Sequence, residues 1–256
     1  VMWGNLQVMY NCAVMAGGGE DSLKLFNVSA TSKGAIPISG KPMVEYVIEA
    51  LRSAKSIDKI LYVGDIEILS SIKVRVDYSI SDAGELFLNL MNALEFFKGE
   101  SQILIVTSDI PLIKGYMIDV FLSRCDRSAI FCYSFVRRED SEKLFPKAHR
   151  TYVKLKEGSF TGGNIMLVNP TFILRNRELI RGIVSNRKNP FNLAKLIGWN
   201  IILRYIMGNL DIPTLEAKSS KILGGKTQAV LMEYPEIGFD VDNQTQLNFV
   251  EERLVK

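Results

Sequence analysis

The residues best suited to chemistry fall in three short runs. The first is Ala16-Gly17-Gly18-Gly19, where glycines let backbone N–H groups approach a phosphate closely and adopt positive φ where needed. No Gly-Lys-Ser/Thr follows, and the third glycine of a Gly-x-Gly-x-x-Gly loop is missing, so neither a Walker A nor a dinucleotide loop is present. Three glycines alone also describe an ordinary flexible loop. The second run is Val106-Thr107-Ser108-Asp109-Ile110-Pro111-Leu112. Asp109 lies just past an apolar stretch that reads as a central strand, where open α/β sheets bind ligands. A carboxylate there suits a hard cation such as Mg²⁺, and a turn aspartate before proline is the plainer alternative. The third run, Phe239-Asp240-Val241-Asp242-Asn243-Gln244-Thr245-Gln246-Leu247, adds two carboxylates. Its Asn243 and Gln246 have the N-cap and N3 spacing of a helix start.

Composition removes other chemistries. The single histidine, His149, excludes sites that need two imidazoles, and no Gly-x-Ser-x-Gly elbow accompanies it. It reads as a loop residue. Cys12, Cys125 and Cys132 match no metal or redox spacing and read as reduced, buried thiols. With 31 basic and 28 acidic side chains and a net charge of +3, no nucleic-acid partner is expected.

The elements that must position these runs alternate between strand and helix. Cys12–Ala16 reads as a buried strand entering the glycines. Met43–Ala54 has apolar residues at 43, 47, 50, 51 and 54, one face of a helix. Lys59–Val63, Val74–Ile80, Ile103–Val106 and Ala129–Val136 read as strands, and Gly84–Phe97 and Tyr116–Leu122 as helices. Later, Tyr152–Leu155 and Ile165–Val168 read as strands flanking Gly158–Asn164. Helical patterns dominate from Pro170 to Leu223, Ala229–Glu233 restores a strand, and Gln244–Leu254 closes as a helix. This order predicts a three-layer α/β fold with a mostly parallel sheet. We expect one domain over residues 11–256 with a helical insertion at about 171–226, and residues 1–10 as an extension.

The segment Ser32-Lys33-Gly34-Ala35-Ile36-Pro37-Ile38-Ser39-Gly40-Lys41-Pro42-Met43-Val44-Glu45-Tyr46 is the most specific in the chain. It resembles the Lys-Ala-Leu-Leu-Pro-Val-x-Gly-Lys-Pro-Met pattern of nucleotidyltransferases. The relevant branch is the MobA-like NTP transferases, related to molybdenum-cofactor and sugar-1-phosphate nucleotidyltransferases. The resemblance implies a GT-A-like α/β/α fold with a mostly parallel mixed sheet. It implies transfer of NMP from a nucleoside triphosphate to a phosphorylated small-molecule acceptor, with Mg²⁺ as cofactor. By the same resemblance Lys33 matches a lysine at the α-phosphate, where a compact ammonium offers three donors to crowding negative charge. Lys33 and Asp109 are then catalytic candidates, and Asp109 and Asp242 metal ligands with Asp240 in reserve. Ala16, Gly17, Gly18 and Gly19 match the phosphate loop. Gly84, in Ser81-Asp82-Ala83-Gly84-Glu85, matches a glycine under the nucleobase. Gly162, Gly163 and Asn164 match a loop-to-strand segment on the acceptor side. For Lys41, before Pro42 at an expected helix N1, a structural role is favoured. The first loop departs from the family's Gly-Gly-x-Gly-x-Arg: it reads Gly19-Glu20-Asp21-Ser22-Leu23-Lys24, with acidic residues where a triphosphate would lie.

Two rivals share these features. A glycosyltransferase of the same architecture would normally show a mid-chain Asp-x-Asp, which here occurs at Asp240-Val241-Asp242 near the far end. A non-catalytic nucleotide-binding module is favoured by Glu20 and Asp21. Residues Arg187–Leu223, where Arg187, Lys188, Lys195 and Arg204 interleave with Phe191, Leu196, Trp199, Ile202 and Ile206, read as a helical pair over the acceptor side. A membrane-surface contact through residues 187–210 and a homodimer contact are the alternatives. With no secretory signal pattern, a cytoplasmic location is expected.

Overall fold

The computed structural model describes residues 8–17, 23–28, 30–146, 150–186 and 198–254. Its main sheet is built around β1 (Tyr10–Met15), whose Cys12, Ala13 and Val14 are fully buried. Burial on both faces is what parallel strands with continuous apolar runs require. On one side β1 pairs in parallel with β4 (Ile57–Gly64), which pairs with the short β5 (Tyr78–Ser81). On the other it pairs in parallel with β6 (Ile103–Thr107). Beyond β6 comes β9 (Gly158–Val168), antiparallel to β6 and to β7 (Phe131–Arg137), and the edge is β10 (Thr227–Met232), parallel to β7. The strand β8 (Val153–Leu155) pairs with the start of β9. A separate two-stranded ribbon joins β2 (Pro37–Ile38) to β3 (Lys41–Pro42).

Helices cover both faces, as the alternating pattern predicts. One face carries α1 (Met43–Ser53) and α3 (Gly115–Arg124), whose Val47, Ile48, Leu51, Ile118 and Phe121 join the β1, β4 and β6 side chains. The other carries α2 (Leu86–Phe96), α5 (Pro170–Arg175) and α6 (Arg177–Asn186), with Phe87, Met91, Leu94 and Ile173 in a second cluster. Each fully buried side chain such as Phe121 contributes about 1.5–3 kcal/mol by leaving water. A third cluster gathers Ile36, Ile38, Met43, Leu112, Phe145, Phe239, Val241 and Leu247. It joins the loops that bear Lys33, Asp109 and Asp242. The helix α4 (Arg138–Leu144) follows β7; α7 (Trp199–Ile206) and α8 (Ile212–Leu223) precede β10, and α9 (Gln244–Leu254) is the last element described.

Three local expectations are corrected. The strand expected at Val74–Ile80 is confined to Tyr78–Ser81. Ahead of it side chains hold the backbone: Lys73 N–H donates to the buried Glu45, and the Arg75 carbonyl accepts from Arg52. Val74 and Val76 still pack against the core, which is why they alternate in sequence without joining the sheet. Gly158–Asn164 is not a loop between strands but the first part of the continuous β9. The strand runs through because the space where Gly162 and Gly163 lack side chains is filled by Tyr133 and Ser134 of β7. Finally, Pro42 is the N-cap of α1 rather than N1. Lys41 pairs with Glu49 at 2.7 Å and lies over the Tyr46 ring, so its contacts are structural.

Residues 1–7, the bulk of the expected extension, lie outside the described residues, as do 187–197. In α7 and just after it, Leu203, Tyr205, Ile206 and Met207 are exposed. Among the described residues no helix is long and apolar enough to cross a membrane.

Gly115 begins α3 against the end of α1, where an added Cβ would lie 2.7 Å from the Ala54 nitrogen and 2.8 Å from the Ala50 oxygen. Backbone cannot yield as a flexible side chain can. Gly115→Ala is therefore expected to cost about 1–3 kcal/mol through overpacking, read as a lower urea midpoint at unchanged slope. An unchanged midpoint would show that the two helices separate freely.

Candidate active site

The carboxyl ends of β1, β4 and β6 share one edge of the sheet. Because β9 runs antiparallel, its earlier half reaches the same edge: Val106 pairs with Ile165, which brings Asn164 level with Thr107. Asp109 follows β6 directly, and its carbonyl accepts from Val241 N–H at 2.9 Å. That bond fixes the Asp240–Asp242 loop beside the end of β6. The helix cap finishes the arrangement. Asn243 Oδ1 accepts from Gln246 N–H at 3.0 Å, and Gln246 Oε1 accepts from Asp242 N–H at 2.6 Å. The capping role expected of Asn243 and Gln246 thus serves the carboxylate loop as well.

Lys33 enters from a 3₁₀ turn, Lys33–Ala35, whose Gly34 is buried against Val44 and Ser108. Its Nζ donates to Asp109 Oδ2 at 2.6 Å and to Asp242 Oδ1 at 2.5 Å. Asp109, Asp240 and Asp242 each offer an oxygen, and these oxygens lie within 4.8 Å of one another. Arg150 Nη2 donates to Asp240 Oδ1 at 2.8 Å. Three carboxylates so close repel, and two cations offset them. Burial works against the charge on Lys33, but Asp109 and Asp242 outweigh it and hold its pKa above the ordinary lysine value. Burial, with Asp109 and Asp242 adding to it, raises Asp240 despite Arg150. For Asp242 burial acts upward, but Lys33 prevails and its pKa is lowered.

Asp109 and Asp242, with Asp240 nearby, could hold a divalent cation. The donors are all hard carboxylate oxygens, as Mg²⁺ prefers. Asp109 Oδ1 is buried and has no hydrogen-bond partner among the described residues. An orphaned buried carboxylate oxygen is costly unless a cation completes it.

Across the edge, Ala16 N–H donates to the Val63 carbonyl at 2.7 Å, holding the chain as it leaves β1. Gly17 is pressed against the far loop: a Cβ there would lie 2.5 Å from Asp82 Oδ1 and 2.6 Å from Asn89 Nδ2. Gly84 takes φ +81°, the left-handed region that favours glycine, with open space above it. Gly18, Gly19, Glu20 and Asp21 lie outside the described residues. Along β9 the smallness of Gly162 and Gly163 serves packing with Tyr133 and Ser134, and Asn164 Nδ2 donates to the Ile237 carbonyl at 3.4 Å.

Two residues at this edge are not marked out by sequence motifs. Asn89 lies fully buried in α2, accepting from Ala83 N–H at 2.8 Å and donating to Asp82 Oδ1 at 2.6 Å. Its only signal is one polar residue inside Phe87-Leu88-Asn89-Leu90-Met91. Arg150 carries no signal, because only folding brings it to Asp240, 90 positions away. His149 lies outside the described residues.

A strand order of β10-β7-β9-β6-β1-β4-β5, helices on both faces and a carboxylate–lysine cluster at the strand ends define a GT-A-like α/β fold of the nucleotidyltransferase kind. The chain belongs to the MobA-like NTP transferase domain family, whose pattern matches residues 12–177. It is similar to a hypothetical transferase from Thermus thermophilus, with 34% identity over 94% of this chain and 100% of that one and a TM-score of 0.82. It shares its fold with a CMP:2-keto-3-deoxy-manno-octonic acid synthetase complexed with CTP, at 13% identity, 96% and 98% coverage and a TM-score of 0.59. A nucleotidyl transferase from Methanothermobacter is similar at 14% identity, with 96% and 98% coverage and a TM-score of 0.57. No curated protein matches the chain.

Asn89→Ala leaves Ala83 N–H without its partner beneath the Gly84 turn. It is expected to cost about 1–3 kcal/mol, the worth of the two hydrogen bonds that the buried Asn89 amide makes, one of them to a carboxylate, measured by urea unfolding. A loss well under that range would mean that water replaces the amide.

Proposed function

We propose that the protein transfers a nucleoside monophosphate from a nucleoside triphosphate to a phosphorylated small-molecule acceptor, releasing pyrophosphate. The observation that carries this reading is the convergence of Lys33, Asp109 and Asp242 at the strand ends. An oxygen of the acceptor phosphate attacks the α-phosphorus, and the bond to the bridging α–β oxygen breaks as pyrophosphate leaves. The attacking oxygen is already anionic, so no general base is required, in keeping with a described site built without histidine.

Asp109 and Asp242 would hold Mg²⁺, which when bound neutralises the charge on the reacting phosphate oxygens. Lys33 supplies donors to the same developing charge, and backbone N–H groups of Gly17, Gly18 and Gly19 would cradle the triphosphate. The nucleobase would lie over the open face of Gly84, and the acceptor beside Asn164. Catalysis then rests on positioning and electrostatics. Family membership supports the triphosphate as substrate; the acceptor and the products are our reading.

Each nucleoside triphosphate is to be incubated with Mg²⁺ and a panel of phosphorylated acceptors, with pyrophosphate as the readout. Pyrophosphate release dependent on acceptor and Mg²⁺ is the expected result. Release of a nucleoside diphosphate from a nucleotide-sugar instead would assign a glycosyltransferase. Mg²⁺-independent binding without product would assign a binding module. Asp109→Asn and Lys33→Ala are each expected to lower turnover by about two orders of magnitude, the scale of losing one transition-state contact. Wild-type rates in a folded variant would remove that residue from the mechanism.

A further inference from the structure

We infer that Lys33 is the resident cation of the carboxylate site, so that a divalent ion must displace its ammonium to bind. This rests on the reading that Asp109 and Asp242 are the ion's ligands. The Nζ lies 2.6 Å from Asp109 Oδ2 and 2.5 Å from Asp242 Oδ1. An ion shared by Asp109 and Asp242 at the ~2.1 Å typical of Mg²⁺, whether on these oxygens or on the unpartnered Asp109 Oδ1, would crowd the ammonium between the two carboxylates. The two cations exclude each other by volume and by charge. The Lys33 side chain is only 14% exposed and Asp109 only 17%, so on that side water screens the repulsion poorly, while Asp242 at 54% faces solvent.

The third carboxylate already has a cation of its own, since Arg150 holds Asp240 Oδ1 at 2.8 Å, and Lys33 is the one that answers Asp109 and Asp242. Lys33 can leave, because its four-carbon stem is flexible. The turn that carries it stays fixed by the Ala35 N–H to Ser32 carbonyl bond at 3.1 Å and the Ile36 N–H to Lys33 carbonyl bond at 3.2 Å, so the movement is that of the side chain alone. What would draw the ammonium off is a competing anion beside the cluster, and the α-phosphate of a bound nucleotide is one. By linkage, nucleotide and ion then strengthen each other's binding reciprocally. Without nucleotide, the protein's own lysine keeps the ion affinity low.

The full chain is to be titrated with Mn²⁺ alone, without nucleotide, following free Mn²⁺ by electron paramagnetic resonance. Wild type, Lys33→Met and Lys33→Arg are compared, with thermal melting as the check on folding. Lys33→Met is expected to bind Mn²⁺ about tenfold more tightly, within the usual range of coupling between two sites, while Lys33→Arg stays near wild type because it keeps the charge. Adding Asp242→Asn to Lys33→Met should abolish the gain, which places the ion in this site. If Lys33→Met does not fold, Lys33→Gln carries the same comparison. Equal or weaker binding by the folded uncharged variant overturns the inference and leaves the ion-site reading standing. A gain of the same size in Lys33→Arg overturns it too. No Mn²⁺ binding by any variant overturns both.

Discussion

Everything at the sheet edge depends on balancing three aspartates gathered within a few ångströms. Asp109 comes from the centre of the chain and Asp240 and Asp242 from its last quarter, yet their oxygens lie within 4.8 Å. Without Lys33 and Arg150 that gathering would be strongly unfavourable, since like charges at this spacing repel and burial adds to the cost. Each cation answers a different part of the cluster, Lys33 spanning Asp109 and Asp242 while Arg150 takes Asp240. A cluster with more carboxylate than ammonium charge is poised for added positive charge and for the polyphosphate that would accompany it.

The surrounding structure holds those charges by ordinary packing. The apolar cluster of Ile36, Ile38, Leu112, Phe239 and Val241 fastens together the three loops that carry Lys33, Asp109 and Asp242. The Val241–Asp109 backbone bond sets their spacing, and the Gln246 amide holds the Asp242 backbone. On the opposite side of β1, Gly17 lies close against Asp82 and Asn89, and the Asn89 amide holds the Asp82–Gly84 turn. Packed apolar side chains and backbone bonds thus fix the loops that bear these groups.

How much of this is legible in sequence follows from the range of the forces involved. The helix α1 is readable from the periodicity of its apolar residues and α9 from its cap as well, where Asn243 with Gln246 keeps its capping role. Asp109 is also marked by its place past a strand end, but that Lys33, Asp109 and Asp242 belong together is readable only through resemblance, since nothing local says that they meet. Val74 and Val76 mislead because alternation reports a half-buried surface, not the hydrogen bonding that makes a strand. Gly162 and Gly163 suggest a loop because their partners, Tyr133 and Ser134, lie on a different strand, well upstream in sequence. Arg150 and Asn89 depend on tertiary contacts that a linear reading does not contain.

The contact between Lys33 and Asp242 spans 209 positions, and this bears on how the protein is made. Synthesis proceeds from the N-terminus, and domains tend to organise as the chain emerges. Once the chain has emerged through β7, the strands β1, β4, β5 and β6 are also present, and of the three clustered carboxylates Lys33 has only Asp109 available. The antiparallel strand β9 must then insert between β6 and β7, so those two strands cannot settle side by side beforehand. Contacts so distant in sequence form slowly relative to local structure. The anionic centre is therefore among the last parts of the molecule to exist, and a nascent chain lacking its final stretch would be spared the repulsion that the finished protein must contain.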